Sequence, residues 1–353
     1  MRLWEKNIRQ VVPYVPGEQP AGDKIIKLNT NENPYPPAPG VKKVLADMEA
    51  DRLRKYPDPT ASVLVKELAA YSGLGEDQVF VGVGSDDVLA MSFLTFFNSD
   101  KPVLFPDVTY SFYKVWADLF KVPFETPALK EDFTIDTKDY AKENGGVIFP
   151  NPNAPTGVYM PLDQVEEILK ANQDVVIIVD EAYVDFAGPS AMELLDKYEN
   201  LLVVQTFSKS RSMAGMRIGF AMGHPDLIRA LNDVKYSYNS YTMNLPSLLA
   251  GVEAVKDKSY FESTLAKIVA TRERSKKRLA ELGFTFPDSR SNFIFASHKT
   301  VPAGKIFEAL KKEQIYVRYF KTPGLDNSLR ISIGTDEEMD ALFRFLEAYL
   351  PNA

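Results

Sequence analysis

The sequence predicts an α/β protein with one large and one small domain. Between about residues 60 and 240, short apolar runs alternate with helical patterns, and the runs lie at 79–81, 103–105, 147–149, 175–179 and 201–204. Such alternation is typical of a mostly parallel sheet that is covered by helices. The chain has 353 residues, which exceeds what one core usually holds, so a second and smaller domain is expected.

The two ends of the chain differ from its middle. Residues 1–40 are rich in proline, asparagine and glycine, which predicts an irregular arm that lines a cleft. A charged helical pattern over 256–282 ends at Gly283, and further strand and helix patterns follow it. We therefore predict an arm over 1–40 that contributes to the small domain and the cleft, a large ligand-binding domain over 41–270, and a small α+β domain over 271–353.

The composition excludes several classes of protein. The chain has no cysteine, so thiolate catalysis and cysteine-ligated metals are ruled out, and its two histidines lie far apart. We expect no metal. A net charge of -7 argues against a nucleic-acid partner. No apolar run approaches the ~20 residues of a membrane span, so we expect a cytoplasmic protein without a membrane partner.

The segment around Lys209 carries the strongest chemical signal. It follows a buried-strand pattern and combines hydroxyl groups, small residues and spaced cations. A lysine at the end of a strand can act as an imine-forming nucleophile. Thr206, Ser208 and Arg217 can then hold a phosphate group. For Lys209 taken alone, an ordinary basic surface loop is the alternative.

A carboxylate is predicted at the same edge of the sheet. Asp180 directly follows the run 175–179, and open α/β sheets bind ligands at the carboxyl ends of their strands. A carboxylate there can keep a pyridine nitrogen protonated. Tyr183 can donate to a ring oxygen, or it can pack in the core. Glu181 is predicted to start a helix or to face solvent.

Three further segments can complete a site for a ring and an anion. Gly84, Ser85 and Asp86 join a strand pattern to a helical one, so the amides of the helix start can face a phosphate, although a plain turn is the alternative. Asn153 lies in a loop stiffened by prolines and can bond a ring oxygen. Tyr110 can stack on a ring, or it can be an ordinary core or surface aromatic.

Taken in this order, the segments resemble those of the fold-type I aminotransferases, and within them those of the histidinol-phosphate aminotransferases. The resemblance covers nearly the whole chain and rests on residues 28–34, 55–59, 84–87, 151–157, 180–183, 208–217 and 329–334. It implies a pyridoxal 5'-phosphate cofactor. It also implies a large domain with a mostly parallel seven-stranded sheet, and a small domain built from the N-terminal arm and the C-terminal segment.

The resemblance assigns a role to each candidate at the cofactor. Lys209 would hold the cofactor as a Schiff base, and Asp180 would pair with its pyridine nitrogen. Tyr183 and Asn153 would face its phenolic oxygen. The other implied cofactor contacts are Gly84, Ser85, Asp86, Tyr110, Thr206, Ser208 and Arg217. Tyr56 would arrive from the other subunit of a homodimer.

The resemblance also implies the substrates. Arg330 matches the arginine that this family uses on a substrate anion, and a planar guanidinium can accept either the phosphate of L-histidinol phosphate or the carboxylate of glutamate and 2-oxoglutarate. Arg318, Tyr14 and Asn31 are further candidates on the substrate side. The implied reaction is a ping-pong transamination in histidine biosynthesis, with Lys209 as general base, which gives imidazole-acetol phosphate and glutamate.

One position departs from the family pattern, and two alternatives remain open. Ala154 stands where many relatives carry asparagine before Pro-Thr-Gly, and Asn153 is expected to substitute for it. An aromatic amino-acid aminotransferase or an amino-acid-phosphate decarboxylase can use the same scaffold, because substrate choice rests on a few side chains. A non-catalytic ligand-binding or regulatory protein is the alternative from another class, although Lys209, Asp180 and Arg217 together argue against it.

Overall fold

The computed structural model describes residues 2–22 and 24–353, and it contains two β-sheets. The larger sheet has seven strands in the spatial order β2 (Val79–Gly82), β8 (Gly219–Gly223), β7 (Leu201–Thr206), β6 (Ile177–Asp180), β5 (Gly146–Pro150), β3 (Val103–Leu104) and β4 (Phe124–Glu125). Only β8 runs against its neighbours β2 and β7. The other pairs are parallel, which confirms the predicted mostly parallel sheet.

The smaller sheet joins the two ends of the chain. Its five strands lie in the order β1 (Ile26–Leu28), β11 (Ile315–Tyr319), β12 (Leu329–Ser332), β10 (Phe293–His298) and β9 (Phe284–Thr285). Strand β1 pairs in parallel with β11. The expectation of a wholly irregular arm is therefore wrong for Ile26–Leu28, because three residues are too few to show a strand pattern and the partner strand lies at the far end of the sequence.

Ten α-helices are found in the described residues. They are α1 (Pro39–Ala46), α2 (Ser62–Ser72), α3 (Ser85–Phe96), α4 (Phe112–Phe120), α5 (Leu162–Ala171), α6 (Pro225–Tyr238), α7 (Leu245–Lys256), α8 (Lys258–Glu281), α9 (Ala303–Lys312) and α10 (Asp336–Tyr349). Helix α8 runs unbroken across residue 270, so the division into 1–40, 41–270 and 271–353 stays a proposal. Within these same residues, no helix is both long and apolar enough to cross a membrane.

Both faces of the large sheet are buried. In β6, the side chains of Ile177 and Val179 join one hydrophobic core, and Ile178 between them joins the core on the opposite face. Successive side chains of a strand point to opposite faces, so a strand covered on both sides is apolar at every position. This accounts for the uninterrupted apolar run that precedes Asp180.

Candidate active site

A cavity of about 170 Å³ lies where β5, β6 and β7 end. Nine of the predicted site residues line it: Ser85, Asp86, Tyr110, Asp180, Tyr183, Thr206, Ser208, Lys209 and Arg217. They come from separate segments of the sequence and meet because parallel strands end at one edge of a sheet. A wider cleft of about 950 Å³, with Tyr159 and Phe286 on its walls, contains none of the predicted residues.

Lys209 and Asp180 lie on the wall of the same cavity, as the sequence predicts. Lys209 follows β7 and is half-buried. Its Nζ donates to the carbonyl oxygen of Thr30 at 3.3 Å and lies 5.8 Å from the ring centroid of Tyr183. Asn33 holds the loop in place, because its Nδ2 donates to the carbonyl oxygens of Lys209 and Ser210 at 3.1 and 3.0 Å. The amine of Lys209 thus lies at the cavity on a loop that Asn33 holds in place.

The Asp180 carboxylate is buried and has hydrogen bonds but no cation. Tyr113 Oη donates to its Oδ2 at 2.7 Å, and the amide of Ala182 donates to its Oδ1 at 3.2 Å. Burial raises the pKa of Asp180 to about 6, against the lowering effect of these two hydrogen bonds. Among residues 2–22 and 24–353, Asp180 forms no salt bridge. Such a group favours a cationic or N–H donating partner from outside the chain.

Tyr113 is a site residue that sequence reasoning missed. It lies on α4, is fully buried, and packs against Phe105 and Trp116. Burial and the neighbouring Asp180 raise its pKa well above the ordinary range, so the phenol stays protonated and donates. The only signal in the sequence was a hydroxyl on the apolar face of a helix, where it needs a partner.

The anion-binding corner depends on two glycines. A Cβ on Gly219 would lie 2.2 Å from the amide nitrogen of Ser85, so only glycine lets β8 approach the start of α3 this closely. Gly84 has φ +85, and a Cβ there would lie 2.5 Å from Arg217 Nη2. These contacts bring the first turn of α3, whose amides have no acceptor within the helix, next to a guanidinium.

Hydroxyl groups complete this corner. Thr206 Oγ1 donates to Ser208 Oγ at 3.0 Å, and the amide of Ser208 donates back to Thr206 Oγ1 at 3.1 Å. Both side chains are buried. Two hydroxyls, a guanidinium and a helix start form a donor set that suits a phosphate group.

The Asp86 carboxylate has a different task from the one predicted. Its Oδ2 accepts from Arg217 Nη2 at 3.4 Å, and its Oδ1 accepts from Tyr110 Oη at 2.8 Å. A carboxylate has no proton to offer a phosphate, so the side chain orients Arg217 and Tyr110, and only the Asp86 amide suits an anion. Burial, followed by the nearby Asp86 charge, raises the pKa of Tyr110 well above the ordinary range.

Asn31 lies behind the cavity wall. It is 1% exposed, and its Nδ2 donates to Tyr183 Oη at 2.9 Å. Its Oδ1 accepts from Ser332 Oγ of β12, also at 2.9 Å. The expectation that Asn31 contacts substrate directly is corrected, because its amide atoms are used within the protein.

The expectation for Asn153 is corrected as well. Its Nδ2 donates to Val108 O and to Thr156 Oγ1, both at 3.0 Å, and its Oδ1 accepts from Thr109 Oγ1 at 3.1 Å. Both protons of its Nδ2 are thus taken up inside the loop, so the amide has none to donate to a ring oxygen. Ala154 lines the cavity instead and offers no polar group.

Glu181 is buried, contrary to the prediction of a solvent-facing or helix-starting acid. It accepts from Ser190 Oγ at 2.5 Å, from the Ala191 amide at 2.6 Å and from Gln205 Nε2 at 2.9 Å. Burial raises its pKa to about 7, and the three hydrogen bonds oppose that rise. Because it follows Asp180 directly, its side chain leaves the strand on the opposite side from the cavity, and it ties down the loop at 190–191.

Two arginines face each other on the small sheet. Arg318 on β11 lies opposite Arg330 on β12. The Arg330 guanidinium lies 5.4 Å from the Phe293 ring centroid and 5.6 Å from that of Phe320. Burial lowers the pKa of Arg330, and the like charge of Arg318 adds to this, while the phenol of Tyr183 acts in the opposite direction. Neither arginine lines the cavity itself, but Phe293, on which Arg330 lies, also packs against Tyr183 of the cavity wall.

Tyr14 and Tyr56 are the two predicted aromatic contacts that lie outside the cavity lining. Tyr14, in the arm, stacks on Phe112 with ring centroids 4.2 Å apart and lies 6.5 Å from Tyr110. Tyr56 is 81% exposed, stacks on Tyr241 at 4.6 Å, and is absent from the wall of its own chain's cavity. Within one chain, neither residue lines the cavity; Tyr14 lies near Tyr110 of the cavity wall, and Tyr56 does not contact that wall.

Comparison with known proteins identifies the class of protein to which this fold and cavity belong. Residues 23–346 match the family model described as aminotransferase class I and II. The chain belongs to this family of enzymes, as the sequence resemblance predicts.

Individual relatives agree with the family. The chain is 52% identical over 338 residues to the histidinol-phosphate aminotransferase of Clostridium acetobutylicum, which covers 96% of both chains. It is 50% identical over 345 residues to that of Brachyspira hyodysenteriae, with 98% of both covered. A crystal structure of histidinol-phosphate aminotransferase from Sinorhizobium meliloti in complex with pyridoxal-5'-phosphate is 25% identical, with a TM-score of 0.81 over 92% of this chain and 89% of that one.

Proposed function

We propose that this enzyme exchanges an amino group between L-histidinol phosphate and 2-oxoglutarate, as a step of histidine biosynthesis, with pyridoxal 5'-phosphate as cofactor. The names of the two curated relatives support this substrate. The observation that carries the proposal is the facing pair Arg318 and Arg330, which Phe293 connects to Tyr183 of the cavity wall, because two adjacent guanidinium groups fit an anionic substrate.

The two arginines lack the partners that would neutralise them. In the part of the chain that the structure describes, neither forms a salt bridge, and the buried Nε of Arg330 has no hydrogen-bond partner. Arg330 Nη2 donates to the carbonyl oxygen of Asn29 at 3.0 Å, and Arg318 reaches two carbonyl oxygens only at 3.4 and 3.5 Å. Two like charges held together disfavour each other, and a phosphate or carboxylate of the substrate relieves that repulsion. The same pair would accept both substrates in turn.

The donor set of the cavity fits pyridoxal phosphate. Ser85, Thr206, Ser208 and Arg217 would hold its phosphate. Asp180 would keep its ring nitrogen protonated, since a buried carboxylate without a cation gains most from an N–H partner. Bound there, the cofactor supplies an electron-withdrawing ring that stabilises negative charge on the substrate carbon.

The remaining roles fall to side chains around that ring. Tyr110 would cover one face of it, and Tyr183 would donate to its phenolic oxygen. Ala154 has no polar group to donate to the phenolic oxygen. Among the cavity-lining residues identified from the sequence, Tyr183 alone would therefore make that hydrogen bond. Lys209 Nζ would link to the cofactor. Once the substrate amine has displaced it, the free Lys209 amine would take the proton from the substrate carbon and would then donate a proton to the cofactor.

We also propose a homodimer in which Tyr56 completes the partner's site. Tyr56 projects into solvent and stacks on the exposed Tyr241, and the side chains of Tyr236, Tyr238, Val11 and Val12 are exposed as well. Exposed aromatic and aliphatic side chains of this kind support a surface that is covered in the assembled protein.

The test is a steady-state assay of the purified protein loaded with pyridoxal phosphate. With 2-oxoglutarate as acceptor, L-histidinol phosphate should form glutamate far more efficiently than phenylalanine does. Threonine phosphate without an acceptor should release no carbon dioxide. A preference for phenylalanine would identify an aromatic aminotransferase, and carbon dioxide release would identify a decarboxylase; either outcome refutes the proposal. A protein that stays colourless after cofactor addition would refute the cofactor as well.

A further inference from the structure

We infer that Asn31 is a positioning residue that directs the hydroxyl proton of Tyr183 into the cavity. The inference rests on the proposed function, in which Tyr183 donates to the ring oxygen of the cofactor. Asn31 belongs to the N-terminal arm and lies 152 residues before Tyr183 in the sequence. It acts on the site through Tyr183 and not by touching a ligand.

The direction of one hydrogen bond sets the role of Tyr183. Asn31 Nδ2 donates to Tyr183 Oη at 2.9 Å. An amide nitrogen has protons and no free lone pair, so the phenol oxygen is the acceptor in this contact. The phenol must therefore give its own proton to a different group, and Tyr183 faces the cavity.

Ser332 fixes which end of the Asn31 amide faces Tyr183. The main-chain amide of Asn31 donates to Ser332 Oγ at 2.9 Å, and the single proton of that hydroxyl goes to Asn31 Oδ1, also at 2.9 Å. If the amide were turned over, Ser332 Oγ would meet two donors and its proton would lose its acceptor. The hydrogen-bond network thus selects the orientation in which Nδ2 points at Tyr183.

The surroundings hold this arrangement rigid. Asn31 has φ +57, a conformation that asparagine and aspartate adopt more readily than most residues. Its carbonyl oxygen accepts from Asn292 Nδ2 at 2.9 Å. The Tyr183 ring packs edge-on against Phe293, with centroids 5.1 Å apart. Neither side chain can turn without breaking contacts to the small sheet.

Asn31→Asp is the sharpest perturbation, because it keeps the shape and the backbone preference but removes both amide protons. The new carboxylate accepts from Tyr183 as well as from Ser332, so the phenol proton leaves the cavity. Ser332→Ala is the uncharged companion variant, since it frees the amide to turn over. Both variants leave every residue that we assign to the cofactor or substrate in place.

The experiment is a pH titration of the visible absorbance of the cofactor-loaded protein. A donor to the ring oxygen weakens the hold on the proton shared with the lysine nitrogen, so losing that donor raises the pH midpoint. Tyr183→Phe and Asn31→Asp should each raise it by about one pKa unit, a tenfold change in proton affinity, and Ser332→Ala should raise it by less. In the Tyr183→Phe background, adding Asn31→Asp should produce no further rise.

Each outcome decides the matter. An unshifted midpoint in both Asn31→Asp and Ser332→Ala would overturn the inference while leaving the proposed function intact. An equal shift with and without Tyr183 would also overturn it, because a through-space charge effect does not need the phenol. If the wild-type protein shows no visible band with pyridoxal phosphate, the proposed function fails first and the inference with it. Thermal melts of the cofactor-free variants verify that they are folded.

Discussion

Replacing Asp180 by asparagine is expected to flatten the pH dependence of stability in the cofactor-free protein. Burial raises the pKa of Asp180 to about 6 from an ordinary value of 3.8. The folded protein then binds this proton more tightly than the unfolded chain does. The stabilisation from this tighter proton binding is therefore complete below pH ~4, and it is lost as the pH rises through the pKa of Asp180 in the folded protein.

The magnitude follows from the difference between the two pKa values. One pKa unit corresponds to ~1.4 kcal/mol, so ionising this buried carboxylate costs about 3 kcal/mol once the pH is well above 6. Roughly 2 kcal/mol of that falls between about pH 4.5 and about pH 7.5. In the variant only one side-chain oxygen remains, so either the Tyr113 phenol or the Ala182 amide loses its acceptor, which costs about 1 kcal/mol at every pH. The variant should be slightly less stable than the wild type in acid and more stable near neutrality.

Urea denaturation of the cofactor-free proteins, followed by circular dichroism at both pH values, measures this effect. Glu181, whose pKa burial raises to about 7, contributes equally to both proteins and cancels in the comparison. Asp139→Asn, at an exposed acid, is the matched control and should follow the wild type. If the stability difference between wild type and Asp180→Asn were the same at both pH values, the proposed burial cost of Asp180 would be wrong.

Three further predictions concern Lys209, Arg330 and the loop before α2. Lys209→Ala should abolish the borohydride-reducible link to the cofactor, as measured by mass spectrometry. The control Lys66→Ala, at an exposed lysine, should retain that link. A reducible link in Lys209→Ala would exclude Lys209 as the cofactor-linked residue. Arg330→Ala should raise the KM for histidinol phosphate at least tenfold while the cofactor absorbance persists. The control Arg344→Ala should change neither quantity. Loss of cofactor with a normal KM would contradict the proposed role of Arg330 in substrate binding. Asp58→Ala removes four hydrogen bonds before α2 and should lower the urea unfolding free energy by about 1 kcal/mol; an unchanged value would show those bonds to be ineffective.

The large sheet and the main site residues could be predicted because their signals are local. An apolar run that is buried on both faces shows in the sequence, and a polar group directly after it must lie at the sheet edge. Asp180 and Lys209 each follow such a run, and β6 and β7 are adjacent parallel strands. Their meeting in one cavity therefore needs little beyond the strand pattern.

The supporting contacts could not be predicted, because they depend on which of several similar groups the tertiary structure turns inward. Of the neighbouring positions Asn153 and Ala154, only Ala154 lines the cavity, and the fold of the loop alone decides which of the two does. Glu181 looks like a surface acid until the loop at 190–191 is folded over it. Asn31 bonds two residues more than 150 positions away, and no local pattern reports such a contact.

Strand β1 has a consequence for the order in which the molecule assembles. Its partner, β11, begins at Ile315, so Ile26–Leu28 cannot pair until nearly the whole chain has left the ribosome. The large sheet, whose strands all lie between Val79 and Gly223, can form long before that. The segment of the N-terminal arm that carries Asn31 therefore stays unpaired after the large sheet has folded. It enters the cleft only when the last strands of the chain form. Nascent chains that stop short of β12 are expected to contain the folded large sheet but not the completed site.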